Sequence, residues 1–373
     1  MASNLTPVVI FTVIWLAVGV ICLVIGAEWL VRGASSVATK LGIAPIVIGL
    51  TVVAFGTSAP ELAVSVSGAL SGNADIALGN VVGSNTANIL LILGLSAAIN
   101  GLSIEQRLLR FDIPVLVVIS AVVYGLLLNG VIGRFEGVAL FIGVIVYTGW
   151  LLRNSQRGES VAVKGEYTAA VAAAEGLTLR QSLIFQITLV IVGLGFLVLG
   201  SQLLVDSATE IAESLGVSDL VIGLTVVAVG TSLPELATSV MAAIRGQRDI
   251  AVGNVVGSSI FNLLSVLGAS AAISSNGIAV NSEVIRLDYP VMLAATVVLL
   301  PICWNGFMIK RWEGLLLACF YVAYVAYLVM EAGDSTAPEL YRTMMLIVVP
   351  LVMIVYGAAG FQGWRKHRFS QKP

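Results

Sequence analysis

Long apolar runs separated by short polar segments dominate the chain. Eleven runs have membrane-crossing length: 7–31, 42–70, 74–99, 112–130, 134–152, 181–205, 217–244, 249–273, 288–306, 312–330 and 341–362. A helix crossing the hydrocarbon core needs about 20 predominantly apolar residues. The period-two alternation of a membrane β-barrel is absent. The pattern therefore predicts an all-α polytopic membrane protein. The first run has neither a basic n-region nor a small-residue cleavage site, so it reads as a retained helix and not as a signal peptide.

The runs are not independent of one another. Ile48 to Ala63 reads IGLTVVAFGTSAPELA and Ile222 to Ala237 reads IGLTVVAVGTSLPELA, identical at 14 of 16 positions at an offset of 174. At the same offset Asp75–Ser84 (DIALGNVVGS) matches Asp249–Ser258 (DIAVGNVVGS), Asn88 falls on Asn262, and Gly94 falls on Gly268. Weaker echoes follow: Arg110-x-Asp112-x-Pro114 with Arg286-x-Asp288-x-Pro290, and Arg134-Phe-Glu136-Gly with Arg311-Trp-Glu313-Gly. Each copy holds five spans. An odd number starts the second copy on the opposite side of the membrane, so the repeats are expected to be inverted, an architecture of secondary transporters. The expected division is 1–153 for the first five-helix repeat and 154–179 for a polar cytoplasmic linker. Residues 180–330 form the second repeat, and 331–373 carry an extra helix and a basic tail.

Charge orients this arrangement. With the N-terminus outside and the C-terminus inside, 16 of the 19 Lys and Arg fall on inside segments, leaving only Arg134, Arg286 and Arg342 outside. Basic bias of this kind sets membrane topology. Composition agrees: 58% of residues are apolar, 11% are charged, and mean hydropathy is +1.01. The net charge of −2 offers nothing to nucleic acid. His367 is the single histidine and lies in the basic tail, while Cys22, Cys303 and Cys319 sit inside apolar runs without metal-ligand spacing. Neither a His- or Cys-based metal site, nor a disulfide framework, nor a Ser–His catalytic pair is expected, and neither is an enzyme or a cofactor.

Ionisable side chains at membrane depth mark function. Glu28 lies four residues before Arg32, so an interfacial salt bridge along one helix side is expected for it. Glu61 and Glu235 differ: both sit mid-span, both lack a basic neighbour, and both occupy the same repeat position. Pro60 and Pro234 each precede a glutamate by one residue. Proline removes an N–H and clashes with the carbonyl four residues back, at Gly56 and Gly230, so a break freeing carbonyls from Ala54 and Ala228 onward is expected. Irregular backbone at this depth is tolerated where it lines a cavity or is buried in protein. Thr57, Ser58, Thr231 and Ser232 add hydroxyls. Ser84 and Asn88, four apart, share a helix face, as do Ser258 and Asn262. The inventory is entirely oxygen, which suits hard cations such as Ca2+. Two carboxylates balance one Ca2+ or two Na+.

The paired stretches GTSAPEL/GNVVGS and GTSLPEL/GNVVGS resemble the α-repeats of the cation/Ca2+ exchanger superfamily, most closely its prokaryotic Na+/Ca2+ exchanger branch. The resemblance spans about residues 7–330. It implies alternating access and an antiporter of a prokaryotic inner (plasma) membrane that exchanges Ca2+ for Na+ across the lipid bilayer. H+ is the rival coupling ion, K+ is a further candidate, and a cation channel is the rival of a different class. Carried over by position, the implied ligands are Ala54, Thr57, Ser58, Glu61, Ser84 and Asn88, with Ala228, Thr231, Ser232, Glu235, Ser258 and Asn262. One position departs from the pattern: several such exchangers carry Asp where this chain has Asn262. The oligomeric state is left open.

Overall fold

The computed structural model describes residues 5–72, 75–155, 182–214, 228–280, 282, 284–304 and 306–332. Nearly all of the expected linker, residues 217–227 of the seventh expected span, and the eleventh span with its tail lie outside these. Among the described residues, eight helices are long and apolar enough to cross a membrane, and a pair bent by 45° makes a ninth.

Helix α1 (Leu5–Leu41) opens the first half. The broken second span comprises α2 (Pro45–Ile48), a π turn (Gly49–Val53), α3 (Ala54–Thr57) and α4 (Ala59–Leu70). The third joins α5 (Asp75–Thr86) to α6 (Leu93–Asn100) through a π turn at Ala87–Ile92. A π turn at Leu108–Asp112 leads into α7 (Ile113–Leu127), and α8 (Arg134–Ser155) closes the half. The second half repeats the order: α9 (Leu183–Ser214), α10 (Ala228–Thr231), α11 (Leu233–Ile244), and α12 (Arg248–Phe261) joined to α13 (Leu267–Ile273) through Asn262–Val266. Helices α14 (Tyr289–Trp304), preceded by a π turn at Val284–Asp288, and α15 (Arg311–Ala332) complete it. Two of these π turns have described counterparts, Ala87–Ile92 with Asn262–Val266 and Leu108–Asp112 with Val284–Asp288, and such bulges often lie near functional sites.

Four two-residue strands reveal the relative direction of the halves. β1 (Leu102–Ser103), before α7, pairs antiparallel with β4 (Met308–Ile309), after α14. β2 (Val131–Ile132), after α7, pairs with β3 (Ile278–Ala279), before α14. Helices α7 and α14 pack together, so these repeat-equivalent helices run in opposite directions. One strand pair marks each end of the bundle.

Between spans, glycine sets the approach distance, as expected where lipid leaves no hydrophobic drive for helix association. A Cβ added at Gly193 on α9 would stand 2.7 Å from the Leu30 amide of α1, and one at Gly26 would stand 2.8 Å from Gly193 O. The weak repeat echoes have the same explanation. Gly94 packs on Gly314, and their equivalents Gly268 and Gly137 pack on each other, all within 3.0 Å of opposing backbone. The arginine three residues before Gly137 or Gly314 then caps the neighbouring helix: Arg134 donates to Ser274 O at 2.8 Å and Arg311 to Ala98 O at 2.9 Å. A cation at a helix C-terminus satisfies orphan carbonyls and complements the dipole. The α12–α13 span is wholly buried at the centre, whereas α8 and α9 expose Ile145, Val146, Ile184 and Ile191, a surface suited to lipid.

Candidate cation site

The two broken spans meet on α5 and α12. Glu61 lies in the first turn of α4 and Glu235 in the first turn of α11, and each is fully buried. Ahead of each helix stands a serine at φ −81°, ψ 5° (Ser58) or φ −88°, ψ 7° (Ser232), outside helical geometry. Pro60 and Pro234 occupy the opening positions where a missing N–H costs least.

The glutamates are bound across the repeat boundary. Ser58 Oγ donates to Glu235 Oε1 at 3.0 Å, and Ser232 Oγ donates to Glu61 Oε1 at 3.3 Å. On the α12 side, Thr57 Oγ1 lies 3.2 Å from Asn254 Oδ1, 3.3 Å from Ala54 O and 3.4 Å from Ser258 Oγ. Ser258 Oγ in turn reaches Ala54 O at 3.4 Å. Four oxygens thus share two hydroxyl protons, leaving an excess of lone pairs. On the α5 side the matching contact is longer, Thr231 Oγ1 to Asn80 Oδ1 at 3.4 Å.

Several buried polar atoms here have no hydrogen-bond partner: Glu61 Oε2, Glu235 Oε2, Ser84 Oγ, both amide atoms of Asn88, and Asn262 Oδ1. Such orphans are rare in native proteins and call for an explanation. Five of the six are oxygens, including one from each carboxylate. Two anionic carboxylates at this depth are costly unless paired with positive charge, and an oxygen-rich set of this kind is chemically suited to a cation.

The expected carbonyls behave unequally. Ala54 O keeps its helical bond from Ser58 N (3.0 Å) while also facing the two hydroxyls, so it is not freed outright. Gly230 O, orphaned by Pro234, is taken by Ser201 Oγ of α9 at 2.6 Å; the first half has Ala27 at the Ser201 position and offers no such donor. Ala228 begins α10. Asn262 is held through its amide nitrogen, which donates to Asn85 Oδ1 at 3.1 Å, while Asn85 Nδ2 donates to Ser259 O at 3.1 Å.

Two residues that the motif reading passed over brace both glutamates. Asn80 Nδ2 donates to Ser65 Oγ (2.9 Å) and Glu61 O (3.2 Å); Asn254 Nδ2 donates to Ser239 Oγ (2.9 Å) and Glu235 O (3.4 Å). Their signal was present, for Asn80, Ser84 and Asn88 stand four apart on one face. The salt bridge expected within α1 is formed elsewhere: Glu28 pairs with Arg245 of the other half, at 2.7 and 2.8 Å. An arginine in the turn after α11 presents its Nε and Nη2 edge and engages both carboxylate oxygens.

Among the described residues, the equivalent faces of α5 and α12 differ in exposure. Ile250, Gly253, Asn254 and Gly257 of α12 are buried, the glycines lying against Ile46, Leu50 and Ala54. Their equivalents Ile76 and Gly79 are exposed, and Asn80 and Gly83 are partly so. Beside them a cavity of about 450 Å³ is lined by Asn80, Gly83, Thr231, Asp288 and Tyr324 among others. It lies in the half of the bundle that bears the β2–β3 pair.

A profile described as sodium/calcium exchanger protein matches residues 11–153 and 185–330. The chain belongs to the sodium/calcium exchanger family. This is a family of transporters, and with eight apolar helices long enough to span, the chain is an integral multi-pass membrane protein. It is 37% identical over 322 residues to the putative antiporter CaxA of Alkalimonas amylolytica, covering 83% of this chain and 96% of that one. To the sodium/calcium exchanger MaX1 of Methanosarcina acetivorans it is 34% identical over 341 residues, covering 84% and 97%. The fold matches the solved structure of the sodium-calcium exchanger NCX_Mj with a TM-score of 0.73 and 30% identity, over 86% of this chain and 99% of that one.

Proposed function

We propose that the chain exchanges Ca2+ for Na+ by alternating access at one shared site, with both ions as transported substrates. The observation that carries this reading is the buried pair Glu61 and Glu235, each with one carboxylate oxygen lacking any donor. The ligand set is drawn from Ala54, Thr57, Ser58, Glu61, Ser84 and Asn88 with Ala228, Thr231, Ser232, Glu235, Ser258 and Asn262. Hydroxyl, amide and carbonyl oxygens around two carboxylates suit Ca2+, which takes 6–8 oxygens in flexible geometry. The same two charges balance two Na+, so the ions compete and do not bind together.

The opposite directions of α7 and α14 support an inverted pair of five-helix repeats, 1–153 and 180–330, joined by a linker over 154–179 and followed by an eleventh span in 331–373. The basic-residue count supports N-out and C-in, which turns the β2–β3 face and its cavity outward. The site is then open to the outside and shut to the inside, and exchange of the two glycine environments gives the opposite state. The membrane is a prokaryotic inner (plasma) membrane, as the bacterial and archaeal relatives suggest. The deciding experiment is 45Ca2+ uptake into proteoliposomes driven separately by Na+, H+ and K+ gradients. Uptake with Na+ alone is expected; uptake driven only by H+ would replace the coupling ion, and uptake without any counter-gradient would indicate a channel.

A further inference from the structure

The echo Arg-x-Asp-x-Pro lies outside the ion site, yet both copies do the same thing. Tyr147 of α8 donates to Asp112 Oδ1 at 3.0 Å, and Tyr324 of α15 donates to Asp288 Oδ1 at 2.8 Å. Each aspartate ends a π turn at the start of its span. By the antiparallel relation of α7 and α14, Asp112 stands towards the β1–β4 face and Asp288 towards the β2–β3 face. Their described surroundings differ. Asp288 lines the open cavity, where it is the single charged side chain among the described lining residues. Asp112, on the shut face, is fully buried, its Oδ2 makes no hydrogen bond, and Arg107 Nε stands 4.0 Å away. Arg107 is itself held over the Trp150 ring at 5.9 Å.

The cavity leads from Asp288 to the Asn80–Thr231 contact. Behind that contact Asn80 binds the Glu61 backbone, and the residue next to Thr231 binds the Glu61 carboxylate. A cation entering here passes the Asp288 carboxylate before it reaches Glu61. In a narrow recess with apolar walls a single carboxylate concentrates cations and raises their arrival rate, an effect that salt screens.

Resting on the exchanger reading, we propose that Asp288 and Asp112 are entrance residues, one for each face. Each is fixed by its tyrosine and draws cations into the site when its own face is open. They position incoming ions and do not belong to the bound-ion shell.

The test is 45Ca2+ uptake against a Na+ gradient in right-side-out and inside-out vesicles, at several Ca2+ concentrations and with choline chloride as inert salt. Asp288→Asn is expected to raise the Ca2+ KM about threefold to tenfold for Ca2+ presented at the β2–β3 face. Its KM at the other face and its kcat should stay near the parent values, and its KM should lose the parent's sensitivity to choline chloride. Asp112→Asn is expected to do the converse. Asp288→Glu should restore both KM and salt sensitivity, and Tyr324→Phe, which keeps the charge, should retain the salt sensitivity. Should Asp288→Asn not fold, Asp288→Ser replaces it, and the Glu variant still reports on charge. A defect equal at both faces, or a KM unchanged with salt sensitivity intact, overturns the proposal and leaves a clamp between α14 and α15. Absence of Na+-driven uptake in the parent vesicles would instead remove the exchanger reading.

Discussion

Ser58 donates a 3.0 Å hydrogen bond to Glu235 across 177 positions of sequence, so the acid of one repeat is held by the break of the other. The reciprocal contact, Ser232 to Glu61 at 3.3 Å, makes the site a single object built twice. Neither half is complete alone, and the two carboxylates must share whatever positive charge neutralises them.

Removing either charge should therefore stop transport. Glu61→Gln and Glu235→Gln retain volume and an amide oxygen able to accept the serine bond, but they delete the balancing charge. Breaking a buried charge pairing costs about 3–5 kcal/mol, which corresponds to a loss of Ca2+ flux of about a hundredfold or more. The measurement is 45Ca2+ uptake in proteoliposomes, with size-exclusion profile and melting temperature confirming the fold. Near-normal flux in either variant would refute a shared site.

Inversion makes a separate prediction. Asp75 and Asp249 are repeat equivalents in the first turns of α5 and α12. Cysteines placed at each, in a Cys319→Ser background, are expected to react with an impermeant thiol reagent from opposite sides, outside for position 75 and inside for position 249. Labelling of both from one side would overturn the topology.

Much of this was legible in the sequence, for identifiable reasons. Hydropathy measures the cost of placing a segment in lipid, so the long helices followed from it directly. The glutamate–proline motif announced its own helix break, because proline acts on residues within one turn. What escaped was non-local. Asn254 reaches Ser239 and Glu235 O through neighbouring helices, and Glu28 finds Arg245 across 217 positions, whereas a helical spacing rule can propose only Arg32. The Arg–x–Glu–Gly echo was visible as a pattern, but its meaning depends on which helix lies opposite Gly137.

That glycine yields a stability prediction. A Cβ at Gly137 would sit 2.5 Å from Ala272 N and 2.8 Å from Gly268 O. Gly137→Ala should destabilise by about 1–3 kcal/mol, the usual cost of overpacking. Gly149, on the same helix, is exposed and has nothing within 4 Å, so Gly149→Ala should be neutral or gain about 0.5–1 kcal/mol of helix stability. Thermal unfolding in one detergent checks both. Equal shifts would show that close α8–α13 packing is not what holds Gly137.

Asn262 stands where the resemblance to the exchanger repeats leads one to expect a carboxylate. Its amide nitrogen donates to Asn85 Oδ1, and its own Oδ1 is left unpartnered. An aspartate at 262 can only accept, so Asn262→Asp would set a carboxylate against the Asn85 carbonyl oxygen. Asn85 would have to turn its amide and release Ser259 O, to which it now donates. The variant adds a third negative charge without changing side-chain size. With two carboxylates, a Na+ beyond the second must rest on neutral oxygens and carries net charge across the membrane, worth about 2.3 kcal/mol per 100 mV. With three, that ion is balanced. Asn262→Asp should therefore shift the Na+ dependence of Ca2+ efflux to lower concentration, by about threefold or more, and change Ca2+ affinity less. The double variant Asn85→Ala with Asn262→Asp removes the opposing carbonyl and should shift it further. The measurement is Na+-dependent 45Ca2+ efflux with the voltage clamped by a K+ ionophore; superimposable curves for parent and variant would place Asn262 outside any coupling-ion site.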